Sequence, residues 1–251
     1  IFSAGKSEWN QRGLDQLSPA RQLLGAHRPG AFAEYIAVPA STVLPLPAGL
    51  SLRVGALAEP AACGVRIGVH AGDVAGKSCL ILGAGPIGLL ALQVLQINGA
   101  KQVFIADLDA DRLSMGTALG GLPLNPRQSD VVQSILEATE GGVVVAVDAV
   151  GSATTRAQCV AALQPTGTLV LSGLHEESSI MPVATMIRKE IVARGSFAYT
   201  PADFALALAL LDEGRIRLDP WIVEAPLSAG AQWFERLLDA PGNVSKVLLT
   251  P

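Results

Sequence analysis

The longest apolar stretch of the chain, LILGAGPIGLLALQVL from Leu80 to Leu95, allows two opposite interpretations. With its flanks it approaches about twenty residues, the length that a helix needs to cross a bilayer. Alternatively, its first residues form a strand and its last residues form a helix, with a glycine turn between them. The residues on either side of the glycines decide between the two.

The local pattern favours the turn. The run CLIL, which ends at Leu82, is rich in strand formers and stops at Gly83. The following LLALQVLQINGA has a helical composition and ends in Asn98-Gly99, a typical helix stop. A second strand, QVFIAD, comes next and ends in Asp107. This order of strand, turn, helix, strand and acid predicts a dinucleotide-binding unit.

The residues of this unit suit their expected roles. Gly83 permits the tight turn, Gly85 lets the backbone approach a pyrophosphate, and Gly88 lets the helix pack on the strand. The helix N-terminus offers N–H groups and the positive end of its dipole to the phosphates. Asp107, about 24 residues after Gly83, can accept hydrogen bonds from the adenosine ribose. Its charge disfavours a 2′-phosphate, so NAD is expected rather than NADP.

The alternation of helices and strands continues downstream. Helices are predicted in DADRLSMGTALGG, SDVVQSILEATEGG and SATTRAQCVAALQP, and strands in VVVAVDAV, GTLVLSG and KEIVARGSF. This pattern is typical of an open, doubly wound parallel sheet with right-handed crossovers. Its ligand is expected at the carboxyl ends of the strands, where Asp107, Val150, Gly151, Ser172 and Gly173 lie.

The two ends of the chain differ from this block, which we assign to residues 62–197. Residues 1–61 are rich in proline and contain the strand-like pieces AFAEYIAV and STVLPL, which predict a β-rich unit. Residues 198–251 contain TPADFALALALLDEGRI, a helix with capping-box spacing between Thr200 and Asp203. The strand-like tail VSKVLLTP is expected to return to the first unit.

Composition narrows the function classes. Half of the residues are hydrophobic, 16% are charged and the net charge is −4, with no block of basic residues. This is a globular chain with no electrostatic footprint for nucleic acid or an anionic membrane. Cys63, Cys79 and Cys159 are scattered, so we expect no disulfide framework and a reducing, cytoplasmic setting.

Taken together, the ordered motifs resemble the medium-chain, zinc-dependent alcohol dehydrogenases. They are RPGAFAEYIAVPA, GALAEPAACGV, AGDVAGKSCLILGAGPIGLLALQV, VFIADLDADRL and GSFAYTPADF, and the polyol and threonine dehydrogenase branch is the most similar. The resemblance implies a Rossmann domain and a GroES-like catalytic domain, incomplete in this chain. It also implies hydride transfer between NAD and a secondary alcohol or polyol, and homodimers or homotetramers joined through KEIVARGSF.

The resemblance also assigns roles to residues outside the glycine turn. It implies that Ile87 packs against the nicotinamide and that Cys63 lies near it. It implies that Arg112 reaches the adenosine side and that Lys246 approaches the pyrophosphate. Glu59 takes the place of the third residue of a catalytic zinc site, as a direct ligand or through water. The zinc would act as a Lewis acid on the alcohol oxygen. Glu59 could equally be a plain carboxylate at a helix N-terminus.

The sequence departs from the family at the metal. A catalytic zinc needs three protein ligands, yet no cysteine precedes Cys63 and the only earlier histidine is His27. Either the family's N-terminal segment is missing from the sequence, which we favour, or the chain is a homologue without metal chemistry. Two alternative functions therefore stay open: a metal-free, NADPH-dependent reductase of the quinone-reductase type, and a non-catalytic NAD-binding protein.

Overall fold

The computed structural model describes residues 1–3, 7–219, 221–239 and 241–251 of the chain. These residues form two compact units. Unit 1 comprises Ile1–Ala62 and Ala198–Pro251, and unit 2 comprises Cys63–Phe197. The C-terminal residues of the chain thus belong to the same unit as its first residues.

Both units contain helices and strands, numbered in chain order. The helices are α1 (Glu8–Gln11), α2 (Leu52–Gly55), α3 (Ala58–Ala71), α4 (Pro86–Ile97), α5 (Ala110–Ala118), α6 (Val131–Ala138), α7 (Ala153–Ala162), α8 (Val183–Lys189), α9 (Pro201–Asp212) and α10 (Gly230–Asp239). The strands are β1 (Phe2–Ser3), β2 (Arg21–Gln22), β3 (Ser78–Leu82), β4 (Gln102–Ala106), β5 (Leu122–Leu124), β6 (Val143–Asp148), β7 (Leu163–Leu171), β8 (Val192–Gly195), β9 (Ile222–Pro226) and β10 (Lys246–Thr250).

Unit 2 is built on a six-stranded sheet in the order β5-β4-β3-β6-β7-β8, and every neighbouring pair is parallel. The predicted α/β class and doubly wound parallel sheet are confirmed. From β3 the chain adds β4 and β5 on one side and then crosses to β6, β7 and β8 on the other. The strand order thus reverses between β3 and β6, and a crevice for a ligand is expected at the carboxyl ends of these strands.

Apolar side chains bury both faces of the central strands. One cluster lies on the face covered by α6 and α7, and it includes Leu80, Leu82, Phe104, Ala146 and Leu169. The opposite face carries α4, whose residues Gly88 to Leu95 are all buried. Since a parallel sheet with helices on both faces excludes water from its strands, unbroken apolar runs such as VVVAV suit these positions.

The apolar stretch that begins at Leu80 is not one long helix. Its strand β3 ends at Leu82, and α4 has only 12 residues. Within the described ranges, no helix combines the length and apolarity that crossing a membrane requires.

Unit 1 differs from its sequence-based prediction. The stretches AFAEYIAV and STVLPL, predicted as strands, are irregular apart from a 3-10 turn at Ala40–Thr42. Apolar residues there are exposed, including Tyr35 at 89% and Val43 at 59%. The prediction was wrong because alternation of side chains makes a strand only where a neighbour completes the hydrogen bonds, and the described residues offer these segments none.

The strands that unit 1 does form are short. Among its described residues there are two small sheets: the antiparallel pair β1–β2 and the parallel pair β9–β10. The GroES-like arrangement therefore stays a prediction. Helix α9 forms as predicted, because Thr200 and Asp203 make the capping box and Pro201 occupies its first turn.

Candidate functional site

The glycine turn joins β3 to α4 with the backbone geometry that only glycine adopts easily. Gly83 has φ +102°, and its N–H donates to the carbonyl of Ala106 at 2.8 Å. A Cβ on Gly88 would lie 1.8 Å from the carbonyl oxygen of Gly83, so no other residue fits there without moving the backbone. These contacts hold the start of α4 against the end of β3, at the edge where a ligand is expected.

The N-terminus of α4 is open. Gly85 is its N-cap residue and has no side-chain cap among the described residues. A Cβ on Gly85 would meet none of their atoms within 4 Å apart from those of its chain neighbours. Pro86 occupies the first turn, where it has no N–H to leave unpaired. Ile87 follows and is half-buried. The first amides of a helix have no partners within it, and at the positive end of this 12-residue helix they suit an anionic group such as a phosphate.

Asp107 lies beside this turn and is fixed by backbone amides. Its Oδ2 accepts a hydrogen bond from Ala84 N at 2.8 Å, and its Oδ1 accepts one from Asp109 N at 3.0 Å. The structure thus brings the carboxylate at the end of β4 into contact with the turn after β3. Asp109 in turn caps α5 by accepting from the amides of Asp111 and Arg112, and Arg112 is half-buried.

The ends of β6 and β7 meet at the same edge of the sheet. Gly151 has φ +89°, and a Cβ on it would lie 2.3 Å from the carbonyl carbon of Gly173. A Cβ on Gly173 would lie 2.1 Å from the carbonyl carbon of Val150. The amides of Ser172 and Gly173 both donate to the carbonyl of Asp148, at 3.0 and 2.8 Å. The four residues predicted here are therefore neighbours, packed backbone to backbone.

Sequence reasoning missed three residues behind this edge: Asp148, Arg156 and Glu176. Asp148 is fully buried, and the Nε of Arg156 lies 3.7 Å from its Oδ2. Glu176 Oε2 accepts from Ala153 N at 2.9 Å, the first residue of α7. One signal was available, since Asp148 is the single charge in the apolar run VVVAVDAV and a buried charge needs a partner.

Unit 1 contains a cavity of about 1000 Å³ that holds two of the remaining predicted residues, Glu59 and Lys246. Tyr199 and Thr42 also line it, together with apolar residues such as Phe32. Glu59 is exposed in the first turn of α3. Cys63, on the same helix, is half-buried. The cavity therefore combines a carboxylate, an ammonium and two hydroxyl groups with an apolar wall.

The cavity does not provide a complete zinc site. A catalytic zinc takes three protein ligands from His, Cys, Asp or Glu side chains. Among the described residues, no group of three such side chains is placed to hold a metal. Of the described residues along the cavity wall, Glu59 is the only one of these four types. The described residues thus supply one candidate ligand and do not by themselves fit the metal.

The chain is similar to known dehydrogenases in both sequence and fold. A family model described as zinc-binding dehydrogenase matches residues 86–213. The chain is 32% identical to the (R,R)-butanediol dehydrogenase of Neisseria gonorrhoeae, over 88% of this chain and 64% of that protein. It is also 32% identical to the L-idonate 5-dehydrogenase (NAD(P)(+)) of Escherichia coli, over 76% of this chain and 55% of that protein.

The solved structures give the same picture. The crystal structure of L-idonate 5-dehydrogenase from Escherichia coli matches with a TM-score of 0.92 at 27% identity, over 100% of this chain and 73% of that one. That of 2R,3R-butanediol dehydrogenase from Bacillus subtilis matches with a TM-score of 0.88 at 28% identity, over 94% and 69%. The chain spans between about half and two thirds of the length of its sequence relatives.

Proposed function

Because the chain belongs to the zinc-binding dehydrogenase family, we propose that the protein is an NAD-dependent dehydrogenase of secondary alcohols or polyols. One observation carries the proposal: Ala84 N donates to Asp107 Oδ2 at 2.8 Å. This contact joins an open glycine turn, suited to a pyrophosphate, to a carboxylate suited to a ribose. When bound, NAD would supply the group that accepts the hydride.

The pyrophosphate would lie on the turn formed by Gly83, Gly85 and Gly88. Gly85 leaves space for it, and the first-turn amides of α4 would donate to its oxygens. Gly83 and Gly88 do not need to touch the ligand, because their close contact sets the position of those amides.

The acidic surroundings of the ribose position favour NAD over NADP. Asp107 keeps both oxygens on backbone amides, and Asp109 and Asp111 lie on the following turn. A 2′-phosphate there would be repelled by these three carboxylates. Arg112, in the first turn of α5, is a nearby cation. We propose that Arg112 lies on the adenosine side of the ligand.

The nicotinamide half would lie on the other side of β3, along the ends of β6 and β7. Val150, Gly151, Ser172 and Gly173 meet at that edge, and Val150 is 36% exposed. The roles that the family resemblance gives to Ile87 and Cys63 near the nicotinamide, and to Lys246 near the pyrophosphate, stay predictions.

The substrate class follows from the cavity of unit 1 and from the relatives. The compounds in the relatives' names, butanediol and idonate, each carry more than one hydroxyl group. The cavity has a volume of about 1000 Å³. Its wall has hydrogen-bond donors and acceptors for such groups, on Glu59, Lys246, Tyr199 and Thr42. We assign the class, a secondary alcohol or polyol, and no single compound.

Zinc is a conditional part of this proposal. Glu59 is the one residue we propose to hold it, directly or through water, if the other ligands lie outside the described residues. The described residues do not by themselves complete a zinc site. The alternative role of Glu59, a carboxylate in the first turn of α3, agrees with its position.

We also propose that the protein forms homodimers or homotetramers through β8. This strand is one of the two edges of the six-stranded sheet, and all four of its residues are exposed. An exposed edge pairs readily with another strand. Light scattering should give a mass of two or four chains, and Ala193→Pro, which removes an edge N–H, should lower that mass. A monomer at working concentration would exclude this assembly.

The function is tested on the full-length protein, whose zinc content is measured first. The protein is then titrated with NADH and with NADPH, and its activity is assayed with a panel of diols, polyols and quinones. We expect NADH to bind at least about tenfold more tightly than NADPH, with oxidation of a diol or polyol. Tighter NADPH binding with quinone reduction and no zinc would favour the metal-free reductase. Binding of NADH without zinc or activity would favour a non-catalytic NAD-binding protein.

A further inference from the structure

Asp148 is a charged residue in an apolar part of the sheet. It ends β6 and has no exposed surface. Its Oδ1 accepts hydrogen bonds from the amides of Val150, at 3.1 Å, and Gly151, at 2.8 Å. Its Oδ2 is buried and accepts no hydrogen bond from any described residue. Burying a carboxylate is costly, so its retention needs a local reason.

Arg156 neutralises Asp148 and at the same time contacts a second loop. Its Nε lies 3.7 Å from Asp148 Oδ2, and its side chain is only 12% exposed. Its two terminal nitrogens donate to the Oγ of Ser179, at 2.5 Å, and to the carbonyl of Glu176, at 2.9 Å. One guanidinium thus joins the end of β6 to the loop that follows β7. A planar group with five donors can make such contacts together.

Glu176 closes the network. Its carboxylate accepts from Ala153 N, at the start of α7, and its own amide donates to the carbonyl of Gly151 at 2.8 Å. The amide of His175 donates to the carbonyl of Val150 at 3.2 Å. The loop after β6 and the loop after β7 are therefore tied together by backbone hydrogen bonds and by side chains.

The network lies beside one half of the proposed ligand only. Asp107, which marks the adenosine ribose, follows β4 on one side of β3, whereas β6 and β7 lie on the other side. In a doubly wound sheet the two halves of a dinucleotide lie on opposite sides of the point where strand order reverses. The loops that Arg156 joins are thus those expected beneath the nicotinamide half.

We propose that Asp148 and Arg156 are positioning residues that hold the loops after β6 and β7 in place for the nicotinamide half of the cofactor. The inference rests on the proposed function. It adds that these two residues affect the nicotinamide half of the cofactor and not the adenosine half. Neither side chain needs to touch the cofactor, because both act through the backbone of Val150, Gly151 and Glu176.

The test compares NADH with ADP-ribose, which lacks the nicotinamide ring, by calorimetric titration of the full-length protein. Arg156→Lys keeps a charge near Asp148 but cannot donate to Ser179 and Glu176 together. We expect it to weaken NADH binding about tenfold and to leave ADP-ribose binding within about twofold. Ser179→Ala, a milder change, should weaken NADH binding about threefold.

Lys189→Met is the matched control, because Lys189 bonds the opposite end of α7. It should lower the melting temperature and change neither affinity. The proposal would be overturned if Arg156→Lys and Ser179→Ala both bound NADH as tightly as the wild type does. It would also be overturned if these variants lost affinity for NADH and for ADP-ribose equally. A wild-type protein that binds ADP-ribose but not NADH would refute it as well. A wild type that binds neither would instead refute the proposed function.

Discussion

The backbone of Gly88 packs on the carbonyl oxygen of Gly83 so closely that a Cβ on Gly88 would lie 1.8 Å from that oxygen. The middle glycine of the motif is different, since a Cβ on Gly85 would meet no atom of the described residues within 4 Å apart from its chain neighbours. The fold thus requires Gly83 and Gly88, whereas Gly85 leaves space for a ligand. Substitutions at these positions should therefore separate an effect on stability from an effect on binding.

Gly88→Ala should destabilise the protein, because the new Cβ meets backbone atoms and α4 must move. Overpacking of this kind costs about 1–3 kcal/mol, which lowers the melting temperature by about 2–4 °C for each kcal/mol in a protein of this size. Thermal unfolding monitored by circular dichroism measures it. An unchanged melting temperature would show that α4 tolerates the displacement.

Gly85→Ala should have the opposite profile. Gly85 has φ −71°, which alanine adopts freely, so we expect less than about 1 kcal/mol change in stability. NADH binding should weaken by about tenfold or more, because the methyl group occupies the space proposed for the pyrophosphate. Gly49→Ala is the matched control, because a Cβ there would meet only Asp212 Oδ1 among the described residues beyond its chain neighbours, at an ordinary contact distance of 3.8 Å. Equal NADH affinity in both variants would show that the pyrophosphate does not bind at this turn.

The glycine turn was predictable from sequence because its causes are local. A positive φ at Gly83 and the contact of Gly88 with Gly83 involve residues five apart or fewer, and the capping of α9 by Thr200 and Asp203 spans three. Features of this kind depend on residues close together in the sequence, so the sequence alone predicts them.

The network behind β6 was not predictable in the same way. Arg156 bonds residues 20 and 23 positions away, and nothing in their spacing distinguishes Arg156 and Ser179 from surface polar residues. Asp148 stands out as the single charge in an apolar run, but the sequence does not identify its partner. The wrong strands in residues 31–46 fail for the same reason, since strand pairing depends on distant partners. Helix α8 was missed because it is short and gives little periodicity.

Asp107→Asn should relax the choice between cofactors. The amide oxygen can still accept from Ala84 N, whereas the hydrogen bond from Asp109 N is lost because the amide nitrogen takes the place of Oδ1. The charge that repels a 2′-phosphate is also gone. We expect the ratio of NADPH to NADH dissociation constants to fall by about tenfold, measured by fluorescence titration. Asp111→Asn, an exposed site one turn along, makes the same charge change and should have a smaller effect. An unaltered ratio in Asp107→Asn would place the ribose elsewhere.

The three thiols should differ in reactivity. Burial raises the pKa of Cys79 to about 12, and burial, with a further contribution from the charge of Asp148, raises the pKa of Cys159. Both stay protonated and enclosed at about pH 8, so a thiol reagent should modify only half-buried Cys63 before unfolding. Cys63→Ser should abolish that fast reaction. Equally rapid modification of Cys79 or Cys159 would contradict their burial.

The same shifts predict a loss of stability in alkali. The folded protein holds the Cys79 proton more tightly than the unfolded chain does, because the ordinary pKa is 9.0 and the folded value is about 12. This contribution to stability is complete below pH 9 and is lost as the pH rises towards 12. Cys79→Ala should remove this part of the pH dependence, and urea unfolding at several pH values measures it.

Lys189→Met should lower stability without changing cofactor affinity. Lys189 Nζ donates to the carbonyls of Ala161, at 2.9 Å, and Leu163, at 2.6 Å, where α7 ends and its carbonyls lack partners within the helix. A hydrogen bond to a charged group contributes about 1.5–3 kcal/mol. Because Lys189 is only half-buried and solvent weakens its interactions, we expect its two bonds together to contribute about that much. Lys101→Met, at an exposed position, is the control and should be nearly neutral. If Lys189→Met instead weakened NADH binding as Arg156→Lys is expected to, general loosening of α7 would explain both.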